Sequence, residues 1–467
     1  MKSILRRLMT ALFGFSLVVY ILHYSVRGDT VALLKQVDHL IACVAHGQWS
    51  GWGGHFPLLQ KLPAIAFRLL GWKDDQILEG LVALNLLSFV LMLMCSWRLL
   101  CSRSRRVAIF FSAVLCSGPL LWYAHVTFGE SFAAFATLAF TVACLQKARG
   151  WKIALLLVFA GISKDVATPF LLFLGGTALC LNLQPSGGFT LAPSWRQIRP
   201  LAMGAALALA TNVAFNYLRY GGPINTELMN PLFRVHDWRT HTSFFFGIFA
   251  SPNGGLLFFW PSWILLVVAI AASIWKNWRK GIEPRTTLIS VVPSLGFALI
   301  LFGLVWGFSS WSFPLGWVGW GPRFLLPWLP SMALLLTVAH VHEFDELLQS
   351  IVRSGWRLWS MALSMAVVSL PQFAVLFRPS LLESLFMPDK VCPRTPYITA
   401  EPAYYFNCMH HILWTKRSTL LDAFAIADQP FGFFLSVACS ILLVAFLLSS
   451  RDSRPCRPSD DLPLANG

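Results

Sequence analysis

Twelve mostly apolar runs recur along the chain, at residues 8–25, 77–97, 107–123, 128–146, 151–163, 166–183, 200–218, 256–275, 287–306, 324–341, 358–377 and 431–449. About 20 apolar residues are what a helix needs to cross a bilayer, and only helices or closed barrels satisfy their backbone groups there. Only 12% of the 467 residues are charged, about half the share of a soluble domain. The sequence therefore predicts an all-α, polytopic membrane protein of about twelve transmembrane helices. The run from Leu58 to Gly71 is too short to span and carries Lys61 and Arg68, so it reads as an interfacial or re-entrant helix in a long first loop.

The formal charge of +15 does not indicate a nucleic-acid partner. The cations fall in small groups between apolar runs rather than along one face. With a cytoplasmic N-terminus, the groups at 2–7, 98–106, 147–152, 196–199, 276–285, 353–357 and 451–457 all lie inside and hold more than half of the 36 Lys and Arg. That is the positive-inside pattern. It places both termini in the cytoplasm and turns loops 26–76, 219–255 and 378–430 outward. The absence of an Asn-X-Ser/Thr sequon favours a bacterial inner membrane. Residues 1–450 form one transmembrane domain, and 451–467, rich in Pro, Ser and charge, form a disordered cytoplasmic tail. No small-residue cleavage site follows the first run, which reads as a retained helix.

Ionisable residues gather at the outward ends of the runs. Asp29 follows the first run, Glu130 opens the fourth, Lys164 and Asp165 join the fifth to the sixth, Arg219 leaves the seventh and Arg323 enters the tenth. Charges at a membrane boundary are costly unless solvated, paired or used. Asp29 is the first place to look for chemistry. Plainer readings stand beside the others: Lys164 and Asp165 as a solvated pair, Arg323 as a snorkelling anchor, Glu130 as a helix-capping carboxylate. The pair His410-His411 is a poor metal site, because adjacent helical residues point about 100° apart, and Asp74-Asp75 reads as a solvated turn. The aromatic stretch from Trp306 to Trp320 serves equally as an interfacial belt or as a platform for a sugar or prenyl chain. Cys392 and Cys408 share an outward loop, where a disulfide is plausible.

Read in order, Gly28-Asp29, His55-Phe56-Pro57-Leu58, Trp122-Tyr123 before Glu130, Ser163-Lys164, the string SPNGGLLFFWP at Ser251–Pro261 and GPRFLLPWLP at Gly321–Pro330 make a pattern. It resembles the GT-C superfamily over roughly residues 1–340. These polytopic glycosyltransferases use polyprenyl-phosphate sugars and include the protein O-mannosyltransferase and aminoarabinose-transferase types. The resemblance implies that Asp29 is the catalytic residue and that Lys164 and Arg323, with Arg219 as a looser match, hold the donor phosphate. Glu130, His55 and Asp165 would support the site. The chain departs from many aminoarabinose-transferase-type members in having Gly54-His55 where they carry an acidic-basic pair before the proline. The implied partners are membrane lipid, a polyprenyl-phosphate sugar and an acceptor on the outer face, with no cofactor and no metal. A transporter or flippase would show paired halves and broken helices at the midplane, whereas a non-catalytic scaffold of envelope glycan assembly would bind the donor without turning it over.

Overall fold

The computed structural model describes residues 28–377, apart from 55, 128, 165–166, 183–187, 190–192, 226–233, 236, 280–283 and 312–322, together with 410, 413–414, 443–444 and 446–448. The first apolar run, nearly all of the last, the tail, His55, Asp165, His411, Cys392 and Cys408 lie outside the described residues. The regular structure described is helical, save a two-residue antiparallel pairing of Leu181–Asn182 with Gly188–Phe189 and an isolated antiparallel bridge between Arg234 and Trp311.

Helix α1 (Gly28–Ala45) begins at the candidate aspartate, within what the sequence suggested was loop. Helices α2 (Leu58–Leu69) and α3 (Asp74–Cys101) follow. Arg68 at the end of α2 donates to both oxygens of Asp38 on α1, at 2.8 and 3.1 Å, and to Asp74 at 2.5 Å. Arg68 thus joins three helices, and Asp74 and Asp75, solvent-exposed as expected, open α3 rather than forming a separate turn. The hydrogen bond to Asp74, outweighing partial burial, and then Asp38 raise the Arg68 pKa.

The run predicted at 107–123 is broken into α4 (Arg105–Cys116) and α5 (Leu120–Tyr123). Pro119 explains the break, since it cannot donate to the helical ladder. At the far end of α3 from Asp74, Ser104 caps α4 by accepting from Val107 N at 3.2 Å. Arg106 there grips Asp345 with two hydrogen bonds of 2.9 and 2.7 Å. Helices α6 (Glu130–Leu145), α7 (Gly150–Gly161), α8 (Ala167–Cys180) and α9 (Trp195–Tyr220) form the centre. Here α9 lies directly on α7, and small residues permit it. A Cβ on Gly204 would fall 2.8 Å from the Ala154 carbonyl, and one on Gly161 would fall 2.7 Å from Ala208 Cβ. Gly204 and Ala208 are four apart, the small-xxx-small spacing by which membrane helices bring backbones together.

Beyond them, α10 (Trp238–Ala250) fills part of another predicted loop, and the run at 256–275 is split at Trp260 into α11 (Leu256–Phe259) and α12 (Pro261–Arg279). Then come α13 (Pro284–Ser309), a 3-10 turn at Arg323–Leu325, α14 (Leu329–Ala339), α15 (Val341–Arg353) and α16 (Gly355–Phe377). Among the described residues, α3 and α9 are long and apolar enough to cross a membrane, and six shorter apolar segments of 10–17 residues accompany them. The core residues, among them Phe111, Phe140, Trp260, Trp263 and Trp328, are fully packed. Outside them Leu87, Phe173, Leu207, Val268, Leu299 and Leu363 stand exposed on six different helices. Bare apolar surface spread around a bundle is what a lipid-facing protein presents and a water-facing one hides.

Candidate functional site

Glu130 is the first residue of α6, and its side chain is fully buried. Burying a carboxylate demands cations, and two arrive from distant parts of the chain. Arg323, on the 3-10 turn, places Nε 2.7 Å from Glu130 Oε1. Lys164, in the turn between α7 and α8, places Nζ 3.9 Å from the same oxygen. The other oxygen, Oε2, is buried without a hydrogen-bond partner among the described residues. Lys164 also lies over the Phe324 ring at 5.9 Å. Three sequence-identified residues therefore converge, and Arg323, buried against Glu130, is no snorkelling anchor. Their side chains sum to one positive charge, at a helix N-terminus whose dipole also favours an anion.

The turn that carries Lys164 is fixed from both sides. Asn212 of α9 donates to the Gly161 carbonyl at 3.0 Å, and Leu59 N donates to the Ile162 carbonyl at 3.2 Å. The segment 52–59 is itself tied to the end of α9, through Trp52 N to Leu218 O at 3.1 Å and Gly53 N to Arg219 O at 3.2 Å. Gly53 and Gly54 both have positive φ, at +62° and +83°, and a Cβ on Gly54 would fall 2.1 Å from Gln36 Oε1. A left-handed bend pressed against α1 admits glycine readily and other residues only with strain.

Arg219 belongs to this segment rather than to the Glu130 cluster. Only 2% exposed, it donates to the carbonyls of Gly54 and Phe56, each at 3.2 Å, and to Asn216. Its guanidinium stacks on Phe215 at 4.4 Å. Lys61, which the sequence placed on an interfacial helix, is fully buried, donates to the Gly53 carbonyl at 3.4 Å and lies 5.4 Å from the same Phe215 ring. The expectation that this helix is interfacial fits Leu62 and Leu69, which are exposed. It misses the inward face, where α2 buries Gln60 and Lys61. The signal was available: those two are adjacent polar residues, one turn after the His55-Phe56-Pro57 segment, on a helix otherwise apolar until Arg68 in its last turn.

Asp29 lies in the first turn of α1. Leu33, one turn further along the same helix face, lines a cavity whose other wall includes Gly129, the neighbour of Glu130. Leu33 and Gly129 thus line one cavity, which links the second turn of α1 to the start of α6. Trp306, from the aromatic stretch, packs with His241 at 4.3 Å and Trp238 at 5.3 Å at the end of α13. No group of three or more His, Cys, Asp or Glu that could hold a metal occurs among the described residues.

No family model matches the chain, and no curated protein matches it significantly. Two solved structures are similar to it. These are ArnT from Cupriavidus metallidurans in the apo state, at 17% identity and a TM-score of 0.43, and ArnT from the same organism bound to undecaprenyl phosphate, at 19% and 0.44. Each match covers 95% of this chain and 77% of that one.

Proposed function

We propose that the chain is an inverting glycosyltransferase that moves a sugar from a polyprenyl-phosphate donor to an acceptor at the outer face of a bacterial inner membrane. One observation carries the reading: Lys164 and Arg323, far apart in sequence, are gathered around a single buried carboxylate, Glu130. A phosphate leaving a sugar develops negative charge, and fixed cations in a water-poor site stabilise it. Arg offers phosphate a planar fork, and Lys a point charge.

In this mechanism Asp29 takes the proton from the acceptor O–H. The acceptor oxygen then bonds to the anomeric carbon from the face opposite the phosphate, the carbon–oxygen bond to phosphate breaks, and the prenyl phosphate departs with the bonding electrons. Configuration inverts once. Phosphate is already a good leaving group, so a single base suffices and the reaction calls for no metal. Glu130 holds Arg323 and Lys164 at a set separation until phosphate arrives. Arg219 acts from a distance, by fixing the 52–59 segment and, through Leu59, the turn that carries Lys164. His55 and Asp165, neighbours of these groups in sequence, take supporting roles.

The test is a mass-spectrometric comparison of envelope glycans and lipids from cells with the wild-type protein, without it, and with Asp29→Asn. A sugar mass lost in both mutants supports the reading. A folded Asp29→Asn protein with full activity overturns the role of Asp29, and unchanged glycans in cells lacking the protein would favour transport or scaffolding.

A further inference from the structure

Helices α7 and α9 run parallel, since Gly150, Ala154 and Gly161 of the first meet Pro200, Gly204 and Ala208 of the second in that order. Their first turns therefore emerge side by side, at the end of α7 away from Lys164. Lys147, Arg149, Lys152, Arg196 and Arg199 cluster there, all exposed and none in an ion pair among the described residues. Arg106 of α4, by contrast, is held by Asp345. The surrounding sequence offers no counter-charge: from Ser131 to Thr226 its one acid is Asp165, next to Lys164 in the chain. Trp151 and Trp195 stand exposed among the cations, and Lys152 Nζ lies 5.6 Å from the Trp151 ring centroid. Beside the cations runs an apolar flank. Leu201 of α9 turns toward α8, where a Cβ on Gly175 would fall 2.8 Å from it. Met203 and Leu207, on the opposite side of α9, are exposed along the seam with α7. Helix α7 buries Ile153, Leu157 and Ala160 and leaves Trp151 and Leu155 exposed on that same side.

We propose that the paired first turns of α7 and α9 bind an anionic phospholipid of the inner leaflet, its phosphate held by the cations and an acyl chain laid along the apolar flank of the seam. Charge complementarity selects the occupant. Unpaired guanidinium forks match phosphate oxygens, and indoles favour the depth of lipid headgroups. A zwitterionic lipid brings an ammonium of its own, which the five cations repel. A wholly aqueous anion would leave Leu155, Met203 and Leu207 uncovered. Position agrees with the choice. The 26 residues of α9 extend about 39 Å at 1.5 Å per residue, more than the ~30 Å of a hydrocarbon core. With Arg219 and Lys164 at the outer face, the cluster reaches the opposite headgroup layer, where anionic lipids make the cytoplasmic leaflet negative. Prenyl phosphate carries the same charge, but its phosphate belongs with Lys164 and Arg323 on the other side of the membrane.

The test titrates the full chain in detergent with phosphatidylglycerol, or with phosphatidylcholine of the same acyl chains, and reads bound lipid by native mass spectrometry. A first phosphatidylglycerol should be retained at concentrations where phosphatidylcholine is not. Each Lys or Arg near an anionic surface is worth about fivefold in affinity. The double variant Arg196→Gln, Arg199→Gln should therefore weaken that first association about 25-fold. Both side chains are exposed, so the variant should keep the wild-type Tm in pure detergent. It should lose the rise in Tm that phosphatidylglycerol gives wild type, because a ligand of the folded state stabilises it. Arg353→Gln with Arg357→Gln removes equal charge from the same face and should change the first association less than twofold. Equal retention of the two lipids overturns the proposal, as does equal weakening by the two double variants, which would mean diffuse attraction rather than a site. Displacement of phosphatidylglycerol by equimolar prenyl phosphate also overturns it. Binding requires no turnover, so Asp29→Asn should retain the lipid as wild type does, whatever its activity says of the transferase reading.

Discussion

Replacing Glu130 by Gln tests the centre of the proposed site. The change keeps the side chain's shape and leaves an oxygen to accept from Arg323 Nε at 2.7 Å. It removes the charge. A hydrogen bond to a charged group contributes about 1.5–3 kcal/mol against about 0.5–1.5 for a neutral one. Removing one partner of a buried ion pair outright costs about 3–5 kcal/mol. With an acceptor retained, about 2–3 kcal/mol is the expected loss of stability, between those limits. Unfolding entropy near 2.1 cal/mol/K per residue, taken over 467 residues, makes that a fall in Tm of about 2–3 °C, readable by tryptophan fluorescence in detergent. The functional effect has the opposite sign for binding. In wild type the carboxylate competes with phosphate for the two cations, so the variant should bind prenyl phosphate more tightly. Arg323 is then held by a neutral acceptor alone and more loosely oriented, and kcat should fall about ten- to a hundredfold, the usual effect of misplacing a catalytic group. Titration of prenyl phosphate by microscale thermophoresis, beside turnover with the lipid-linked donor, separates the two. Weaker binding of prenyl phosphate by a folded Glu130→Gln protein would refute the argument, because Glu130 would then be assisting the anion rather than occupying its place.

Asp29→Asn should lower turnover about 10²- to 10⁴-fold with Tm unchanged; comparable loss of stability would make Asp29 structural. Arg219→Lys keeps charge but loses the fork that reaches the Gly54 and Phe56 carbonyls, so amide exchange at residues 52–56 should accelerate; unchanged protection would remove Arg219 from the segment's support. Gly54→Ala places a side chain at φ +83°, costing about 1–3 kcal/mol, and its Tm should fall accordingly. Asp237 caps α10 by accepting from Thr240 N at 2.8 Å. Partial burial pushes its carboxyl up, but hydrogen bonds from Thr240 and Arg239 outweigh this and hold its pKa below the ordinary value. Its stabilisation is therefore present above the unfolded carboxylate pKa and lost as pH falls through the lower folded value. Asp237→Ala should cost about 1 kcal/mol at pH 7, with a gap from wild type that closes at pH of about 3 or lower in thermal melts; a gap that survives there would exclude the carboxylate.

Most helices were readable from apolar run length, and the rim of the site from charges at the ends of those runs. Glu130, Lys164 and Arg323 could be named because a charge beside twenty apolar residues is conspicuous. Their convergence could not, since it depends on three turns of the chain folding onto one point. Two kinds of residue escaped. Lys61 and Gln60 were assigned to a surface because the helix is short and partly charged, yet in lipid the polar face of such a helix turns inward. The breaks at Pro119 and Trp260 were hidden because hydropathy averages across them. Helix α1 was taken for loop on account of its polar residues, which the structure uses for contacts with its neighbours, such as Asp38 with Arg68.

The two breaks also depend on each other. The indole of Trp260 donates to the Val114 carbonyl at 2.9 Å, and Ser117 donates to Ser262 at 2.8 Å. A Cβ on Gly118 would fall 2.2 Å from that indole. The first break is thus completed by residues 146 positions later in the chain. At about 5–20 residues per second of synthesis, α4 emerges from the ribosome roughly 7–30 s before the group that satisfies its end. For that interval only the local Ser117 hydroxyl can meet the Val114 carbonyl, at 3.2 Å, and slowing translation between residues 118 and 260 should extend the nascent chain's stay in the membrane-insertion machinery.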